Sequence, residues 1–337
     1  MSDKQELMKI RDLSVEYTTR LGQVSAVDHI SFDIYRGEIL GLVGESGCGK
    51  STMGKALMRM IQPPGKITTG QIVFDGEDIM TYDQHQMRNF RGNKVSMIFQ
   101  DPMTSLNPVQ RVDEHIIEAI QVHEHATKAE DALERAETLI EKLGIQKRRM
   151  NSYPHQLSGG MRQRVMVGLG LVLNANLIVA DEATTSLDVI VEAKLADQLR
   201  DIREEFGVSL LVITHNIALV AELSDRVAVM YAGHLVEIGD VETIFDDPLH
   251  PYTKGLLDSI PNIKLNEKEE LYKMAGEPPN LTHPPNGCRF HPRCPHAMPI
   301  CSEQEPDLKE VASGRMVKCW LFSEHAENTK KNTEVSS

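Results

Sequence analysis

Residues Gly44–Thr52 read GESGCGKST, a match to G-x-x-x-x-G-K-[ST]. The segment before the loop, Glu38–Val43 (EILGLV), is a short apolar run, and the residues after it follow a helical pattern. A strand, a glycine-rich turn and a helix in that order form the context in which such a loop binds phosphate. Glycines let consecutive backbone N–H groups curl around an anion, and the start of the helix adds a partial positive charge. Gly44, Glu45, Ser46, Gly47, Cys48, Gly49, Lys50, Ser51 and Thr52 are therefore candidate nucleotide-binding residues. Lys50 is suited to reach the β- and γ-phosphates, and the Ser51 hydroxyl to complete a Mg2+ shell. Cys48 reads as a small residue tolerated in the loop rather than a redox centre.

The pattern around the loop predicts an α/β domain with a largely parallel sheet. MKIRDLSVEY and AVDHISFDIY alternate apolar and polar residues, as half-buried strands do. Leu177–Ala180 and Ser209–Thr214 (SLLVIT) read as buried strands, with a charged helical segment from Val191 to Glu205 between them. From Val109 to Gly144 the pattern is helical, with Leu133, Ala136, Ile140 and Leu143 as its apolar stripe. The run Leu177–Glu182 (LIVADE) ends in two carboxylates. Asp181 is placed to hold Mg2+ through water, and Glu182 to accept a proton from an attacking water.

Composition narrows the class. The chain has 337 residues, about two domains' worth. Its 36 Lys and Arg against 49 Asp and Glu give a net charge of −13, which argues against a nucleic-acid partner. The longest mostly apolar stretch, Val165–Ala180, is broken by Asn174 and Asn176 and falls short of a membrane span. The N-terminus lacks the apolar core of a signal peptide, so any membrane role is expected to be peripheral.

Leu157–Arg164 reads LSGGMRQR. Ser158, Gly159 and Gly160 suit a helix start with exposed N–H groups, a second anion site on the chain. One phosphate loop and two phosphate-reading surfaces make sense if two chains sandwich ATP head to tail. Here the sequence resembles the ATP-binding cassette family, with the pieces in the family's order. GESGCGKST is similar to its Walker A motif, LIVADE to its Walker B motif and LSGGM to its signature, where Met161 replaces the usual Gln. The resemblance implies roles for further residues. Gln100, in MIFQDP, resembles the Q-loop glutamine that lies near the γ-phosphate and Mg2+, beside Ser51 and Asp181, and links to a transport subunit. Asp188, in TTSLD, resembles the aspartate that crosses the dimer interface. His215, in VITHN, resembles the switch histidine at the γ-phosphate, and Tyr17 the aromatic that stacks on adenine. Ala183 departs from the proline usual in the peptide-importer branch.

The resemblance runs from about Met8 to Phe322. FQDPMTSLNP, HPYTKGLL and a cysteine-bearing tail resemble the dipeptide/oligopeptide importer ATPases, which share these marks with importers of nickel chelates and oligosaccharides. It implies a peripheral subunit on the cytoplasmic side of the membrane. Its partners would be a second cassette ATPase, leaning towards a heterodimer, two transmembrane permease subunits and an extracellular substrate-binding protein. A soluble cassette ATPase acting on ribosomes or DNA is the remote alternative. Five parts are expected: an ATP-binding core over 1–108 and 157–234 with its β subdomain, a helical subdomain over 109–156, an extension over 235–262, a proline-rich four-cysteine module over 263–322 and a disordered tail over 323–337.

Eleven prolines fall between residues 248 and 306, which excludes long regular helices there. Cys288, Cys294, Cys301 and Cys319 follow the spacing C-x5-C-x6-C-x17-C. Four thiolates could hold zinc or a [4Fe–4S] cluster, or remain free thiols or disulfides, with His291 and His296 as possible substitutes. The spacing is wider than zinc knuckles prefer. In the peptide-importer ATPases that the chain resembles, this segment carries a [4Fe–4S] cluster, which here would act as a structural staple.

Overall fold

The computed structural model describes residues 5–99, 106–182, 189–259 and 274–323. In chain order its strands are β1 (Glu6–Thr19), β2 (Gly22–Tyr35), β3 (Ile39–Val43), β4 (Gly65–Phe74), β5 (Glu77–Asp78), β6 (Val95–Ile98), β7 (Leu177–Asp181), β8 (Ser209–Ile213), β9 (Arg226–Tyr231), β10 (His234–Asp240), β11 (Lys309–Ala312) and β12 (Arg315–Val317). Its helices are α1 (Lys50–Leu57), α2 (Gln84–Asn93), α3 (Val112–His123), α4 (Ala129–Lys142), α5 (Gly159–Leu171), α6 (Val189–Phe206), α7 (Ile217–Leu223), α8 (Val241–Asp246), α9 (Pro251–Asp258) and α10 (Pro299–Glu303). Two compact units result, one of Met1–Leu7, Ile34–Ile39 and Phe74–Thr214, the other of Met8–Asp33, Leu40–Val73 and His215–Ser337.

The first unit is built on the parallel strands β6, β7 and β8. Val95 to Ile98 run beside Leu177 to Ala180, and Leu177 to Asp181 beside Ser209 to Ile213. Every residue of β7 and β8 is buried, as strands covered on both faces require. The Ser96 hydroxyl donates to the Gly170 carbonyl at 2.7 Å, fixing the end of α5 on β6. The helical stretch expected from Val109 to Gly144 contains two helices, α3 and α4. Its break at Glu124 is held by the Glu124 carboxylate, which accepts from Thr127 Oγ1 at 3.0 Å and from Arg135 at 2.6 Å. Of the expected apolar stripe, Ala136, Ile140 and Leu143 are buried and Leu133 is not. Ala132, Ala136, Leu139 and Ile140 are buried, whereas Leu133 is 37% exposed. A helical stripe of the observed width has room on its inner side for a small Ala132, about 100° away from Leu133.

In the second unit the long strands β2, β1 and β4 lie side by side. A further set follows the order β11-β12-β10-β9-β3. β3 and β9 are parallel, with Leu40 opposite Arg226 and Val43 opposite Val229, while β9, β10, β12 and β11 alternate in direction. The expected separate four-cysteine module is therefore corrected. β12 pairs with β10 through Glu237 opposite Val317 and Ile238 opposite Met316, so the C-terminal segment extends the unit's sheet. Phe290, between two of the cysteines, is 2% exposed and shares one core with Val43, Val229, Tyr231 and Tyr252. The segment is apolar-poor, and it reaches stability by inserting its few apolar residues into an existing core. Its prolines keep the helices short, six, eight and five residues for α8, α9 and α10.

The start of α9 is held by buried polar groups. Glu237, fully buried, accepts from the Leu249 N–H at 3.0 Å, the His250 N–H at 2.9 Å and Arg315 Nη2 at 3.0 Å. His250 Nδ1 accepts from the Tyr252 N–H at 3.0 Å and so caps the helix. Burial drives the His250 pKa down to about 3. The native state therefore binds fewer protons than the unfolded chain between pH 6.5 and 3, and stability falls as pH drops through that window. This histidine alone should remove on the order of 3 kcal/mol between pH 7 and pH 4. Asparagine can cap the helix without titrating. Urea unfolding of His250→Asn should accordingly lose markedly less stability than the wild type over that range, and equal slopes would refute the assignment.

Candidate functional site

The phosphate loop joins β3 to α1 in the second unit. Gly44 and Gly49 have φ of 153° and 108°. Space also forbids a side chain: a Cβ would lie 2.1 Å from the Met230 carbonyl oxygen at Gly44 and 2.0 Å from that of Ala26 at Gly49. The loop is thus pressed between β9 and β2, and the Gly233 N–H ties it down further by donating to the Cys48 carbonyl at 2.9 Å.

Lys50 is 4% exposed, and its Nζ donates to the carbonyl oxygens of Gly44 at 2.8 Å and Glu45 at 3.0 Å. A buried ammonium held by loop carbonyls is a fixed positive charge at the loop's centre. The Cys48 Sγ lies 3.9 Å from Lys50 Nζ, yet burial pushes the thiol's pKa up, so Cys48 stays a neutral packing residue. Ser51 and Thr52 occupy the next two positions of α1, half-buried. The first turn of α1 carries no acidic side chain, which leaves its N-terminal partial charge uncancelled. Ser46 and Gly47 are exposed on the loop's outer side.

Two further candidates belong to the same unit. Tyr17, on β1, is half-buried with its ring against Gly65, where a Cβ would come within 2.5 Å of the ring. His215 is exposed in the turn between β8 and α7, and its neighbour Asn216 caps α7 by accepting from the Leu219 N–H at 3.2 Å.

The other unit carries the acidic strand and the signature. Asp181 is 5% exposed at the end of β7. Glu182 follows it with φ of 48°, a left-handed conformation that non-glycine residues rarely hold. The Glu182 N–H donates to the Ile213 carbonyl at 2.8 Å, so β8 clamps the turn that carries the carboxylate. Such a conformation costs on the order of 1 kcal/mol and persists where surrounding bonds enforce it. Ser158 caps α5, its hydroxyl accepting from the Met161 N–H at 3.3 Å. Ser158 and Gly159 are exposed, and a Cβ on Gly159 or Gly160 would meet nothing within 4 Å. The start of α5 is consequently open to close approach by a ligand. Gln100, Ala183 and Asp188 lie outside the described residues.

The four C-terminal cysteines form no disulfide, and they lie near enough to influence one another's ionisation. Burial, reinforced by the neighbouring thiols, pushes Cys288 up to about 11 and Cys319 up to about 12, and Cys294 rises for the same reasons. The Cys288 N–H donates to the Cys301 carbonyl at 2.8 Å. Among the described residues, no group of three or more His, Cys, Asp or Glu side chains closes on a point that one metal ion could occupy. Burial, and the repulsion that would arise between thiolates, are what a cationic centre would offset on deprotonating them.

Two residues at the loop went unrecognised in the sequence. Tyr252 accepts from the Glu45 N–H at 2.9 Å, and Arg293 forms a two-pronged pair with the Glu45 carboxylate at 2.8 and 3.0 Å. Tyr252 sits in the HPYTKGLL stretch and Arg293 between Cys288 and Cys294. Both stretches stood out, but nothing in their spacing shows that they fold back onto residue 45.

No helix among the described residues is long and apolar enough to cross a membrane. Residues 27–185 match the ABC transporter family model, and residues 236–301 match the model for the oligopeptide/dipeptide transporter C-terminal region. The chain is 44% identical to the oligopeptide transport ATP-binding protein OppD of Bacillus subtilis over 94% of this chain and 89% of that one. It is 42% identical to the dipeptide transport ATP-binding protein DppD of Escherichia coli over 93% of this chain and 96% of that one. Among solved structures, the dimeric ATP-binding cassette MJ0796 in a post-hydrolysis state with ADP and phosphate is similar at a TM-score of 0.62 and 26% identity, covering 70% of this chain and 99% of that one. A phosphate loop, an acid-tipped strand and a signature helix on one α/β chain, with matches along nearly its whole length, place it: the chain belongs to the ABC transporter ATP-binding subunits, in the branch of the oligopeptide and dipeptide transport ATPases.

Proposed function

We propose that the chain is the ATP-hydrolysing subunit of an importer that drives di- or oligopeptides through a membrane permease. The observation that carries this reading is the joint match of the cassette and of the C-terminal region to peptide-transport ATPases on one continuous chain. None of the relatives named above favours nickel chelates, oligosaccharides, ribosomes or DNA.

In this reading the loop Gly44–Thr52 wraps the phosphates, Lys50 neutralises the β- and γ-phosphates, and Tyr17 stacks on adenine. Ser51, Asp181 and Gln100 hold Mg2+ with the nucleotide. A second cassette subunit, which we take to be a related rather than identical chain, offers its own counterpart of Ser158–Gly160 across the γ-phosphate, while Asp188 lies at the shared interface. ATP favours the closed pair because it touches both chains only there. Glu182 then takes the proton of the attacking water and His215 contacts the γ-phosphate. The clamped backbone of Glu182 supports this role, since it fixes the carboxylate's origin without help from substrate.

Two permease subunits and an external substrate-binding protein complete the importer, with this chain peripheral on the cytoplasmic face. An open groove of about 430 Å3 on α3, lined by Glu114, Ile117, Glu118 and Val122 together with Arg88 of α2, supports permease docking there. Ile116 and Ile120 are fully buried and pack within the unit, which leaves Ile117 as the isoleucine of that stretch available to a partner.

We further propose that Cys288, Cys294, Cys301 and Cys319 hold a [4Fe–4S] cluster. A cluster gives each thiolate its own iron, and so tolerates a wider ring of sulfurs than a single zinc ion, for which the described residues offer no close group. When bound it would act as a cross-link for a segment with little apolar content. Protein purified without oxygen should contain about four iron and four sulfide per chain. Cys294→Ser should lose that content and lower the melting temperature while keeping ATP binding, and an unchanged melting curve in a metal-free wild type would refute the assignment.

Glu182→Gln should bind ATP with near-normal affinity and hydrolyse it at least about a hundredfold more slowly. Affinity purification of this variant from detergent-solubilised membranes with Mg-ATP should recover a second cassette ATPase and two multispanning proteins. Normal turnover would remove Glu182 from its role, and recovery of ribosomal or DNA-bound partners alone would overturn the importer reading.

A further inference from the structure

The phosphate loop contains an acid, Glu45, in a loop whose ligand is a polyanion. Its backbone is part of the cradle, because its carbonyl oxygen accepts from Lys50 Nζ at 3.0 Å. An unpaired carboxylate at this half-buried place would repel phosphate more strongly than one fully in water. The C-terminal segment answers it. Arg293 Nη1 and Nη2 donate to the two Glu45 carboxylate oxygens at 2.8 and 3.0 Å, a fork matched to a carboxylate. The guanidinium is anchored from behind, with Nε donating to the Ala275 carbonyl at 3.0 Å and Nη1 to the Tyr231 hydroxyl at 3.3 Å. The Arg293 side chain is 6% exposed and that of Glu45 25%, so the pair is partly shielded from solvent.

The same short stretch, CRFHPRC, grips the loop's surroundings twice more. Arg289 donates to the Ala232 carbonyl and to Asp28, next to Gly233, whose N–H holds the Cys48 carbonyl of the loop. Phe290 plugs the aromatic core, 5.2 Å from Tyr231 and 5.5 Å from Tyr252, ring centre to ring centre. Tyr252 in turn accepts from the Glu45 N–H.

We propose that Arg293 is a positioning residue for ATP: it cancels the charge of Glu45 and fixes that end of the phosphate loop, so that the cysteine-bearing segment sets the affinity of the nucleotide site. The proposal rests on the reading that Gly44–Thr52 binds ATP. It separates two effects that a purely structural contact would not. Loss of the guanidinium should raise KM for ATP rather than lower kcat, and removal of the Glu45 charge should repair the loss.

The test is fluorescent Mg-ATP binding and steady-state hydrolysis by the full chain at low and high salt, with far-ultraviolet circular dichroism as a check of folding. Arg293→Ala should bind ATP about tenfold more weakly at low salt, with the deficit shrinking at high salt. The double variant Glu45→Gln with Arg293→Ala should return to within about threefold of the wild type. Arg293→Lys keeps a positive charge but loses the fork. It should lie between, about threefold weak, and it replaces the alanine variant if that one does not fold. Unchanged affinity in both arginine variants would overturn the proposal, as would a double variant no tighter than Arg293→Ala. Lys50→Ala is the control for the underlying reading: if it binds ATP as well as the wild type, the phosphate loop assignment fails, not the role of Arg293.

Discussion

Everything at the nucleotide loop depends on how closely its backbone can approach two neighbouring strands. At Gly44 the nearest obstacle to a side chain is the Met230 carbonyl of β9, and at Gly49 it is the Ala26 carbonyl of β2. Backbone packed against backbone leaves the loop no slack, and the strands fix its place together with Tyr252 at the Glu45 N–H and Lys50 at the Gly44 and Glu45 carbonyls. The tightness has a second consequence. β9 leads into β10 through a short turn, and β10 pairs with β12, so the strand next to the one that shapes the loop carries the C-terminal segment. The turn between them supplies Gly233, whose N–H reaches back to the Cys48 carbonyl. Loop and C-terminal segment are thus two sides of one packed assembly.

The parts of the site that the sequence showed are those where chemistry and local structure share a short stretch. GESGCGKST specifies its turn by glycine position, LIVADE shows a buried strand ending in acids, and Ser158 followed by two glycines marks a helix start. Each is local, and the structure has the loop, β7 and α5 where those patterns put them. The helical region was less legible because Leu133 and Ala132 are both apolar and adjacent. Only packing decides which of them faces inward, and the small one does. The break at Glu124 was invisible for a similar reason, since it is held by Arg135 from the next helix.

The C-terminal segment was the least legible. Its prolines and cysteines suggested a module on its own, because a composition poor in apolar residues cannot build a core. The inference overlooked that such a segment can borrow one. Phe290 is a single aromatic, but in a cluster with Tyr231, Tyr252 and His250 it is fully used. Buried charge does the rest. Arg315 pairs with Glu237 inside the unit, and the Asp28 carboxyl is held down at about 2, chiefly by its hydrogen bond with His234 and also by Arg289. Charges that far from solvent tolerate no unpaired partner, so each pair specifies one seating of the segment. Contacts of this kind span as many as 261 residues of sequence, as between Asp28 and Arg289, and no periodicity reports them.

The overall charge of −13 is set against the task of holding a polyanion, and the conflict is resolved within a few ångströms. Long-range repulsion from surface acids is screened beyond roughly a Debye length of 8–10 Å, so the net charge matters less than what lines the loop. Lining the loop are a buried ammonium with two carbonyl ligands and a helix start free of acids in its first turn. The one exception is Glu45, and it is matched by a guanidinium from 248 residues further along. That placement turns a local liability into a link: the loop is electrostatically complete only when the distant segment is seated on it. A fold that needs only a phosphate loop could have used an uncharged residue at position 45. Retaining an acid there, with its partner between two of the four cysteines, makes the state of the C-terminal segment part of the energetics of nucleotide binding.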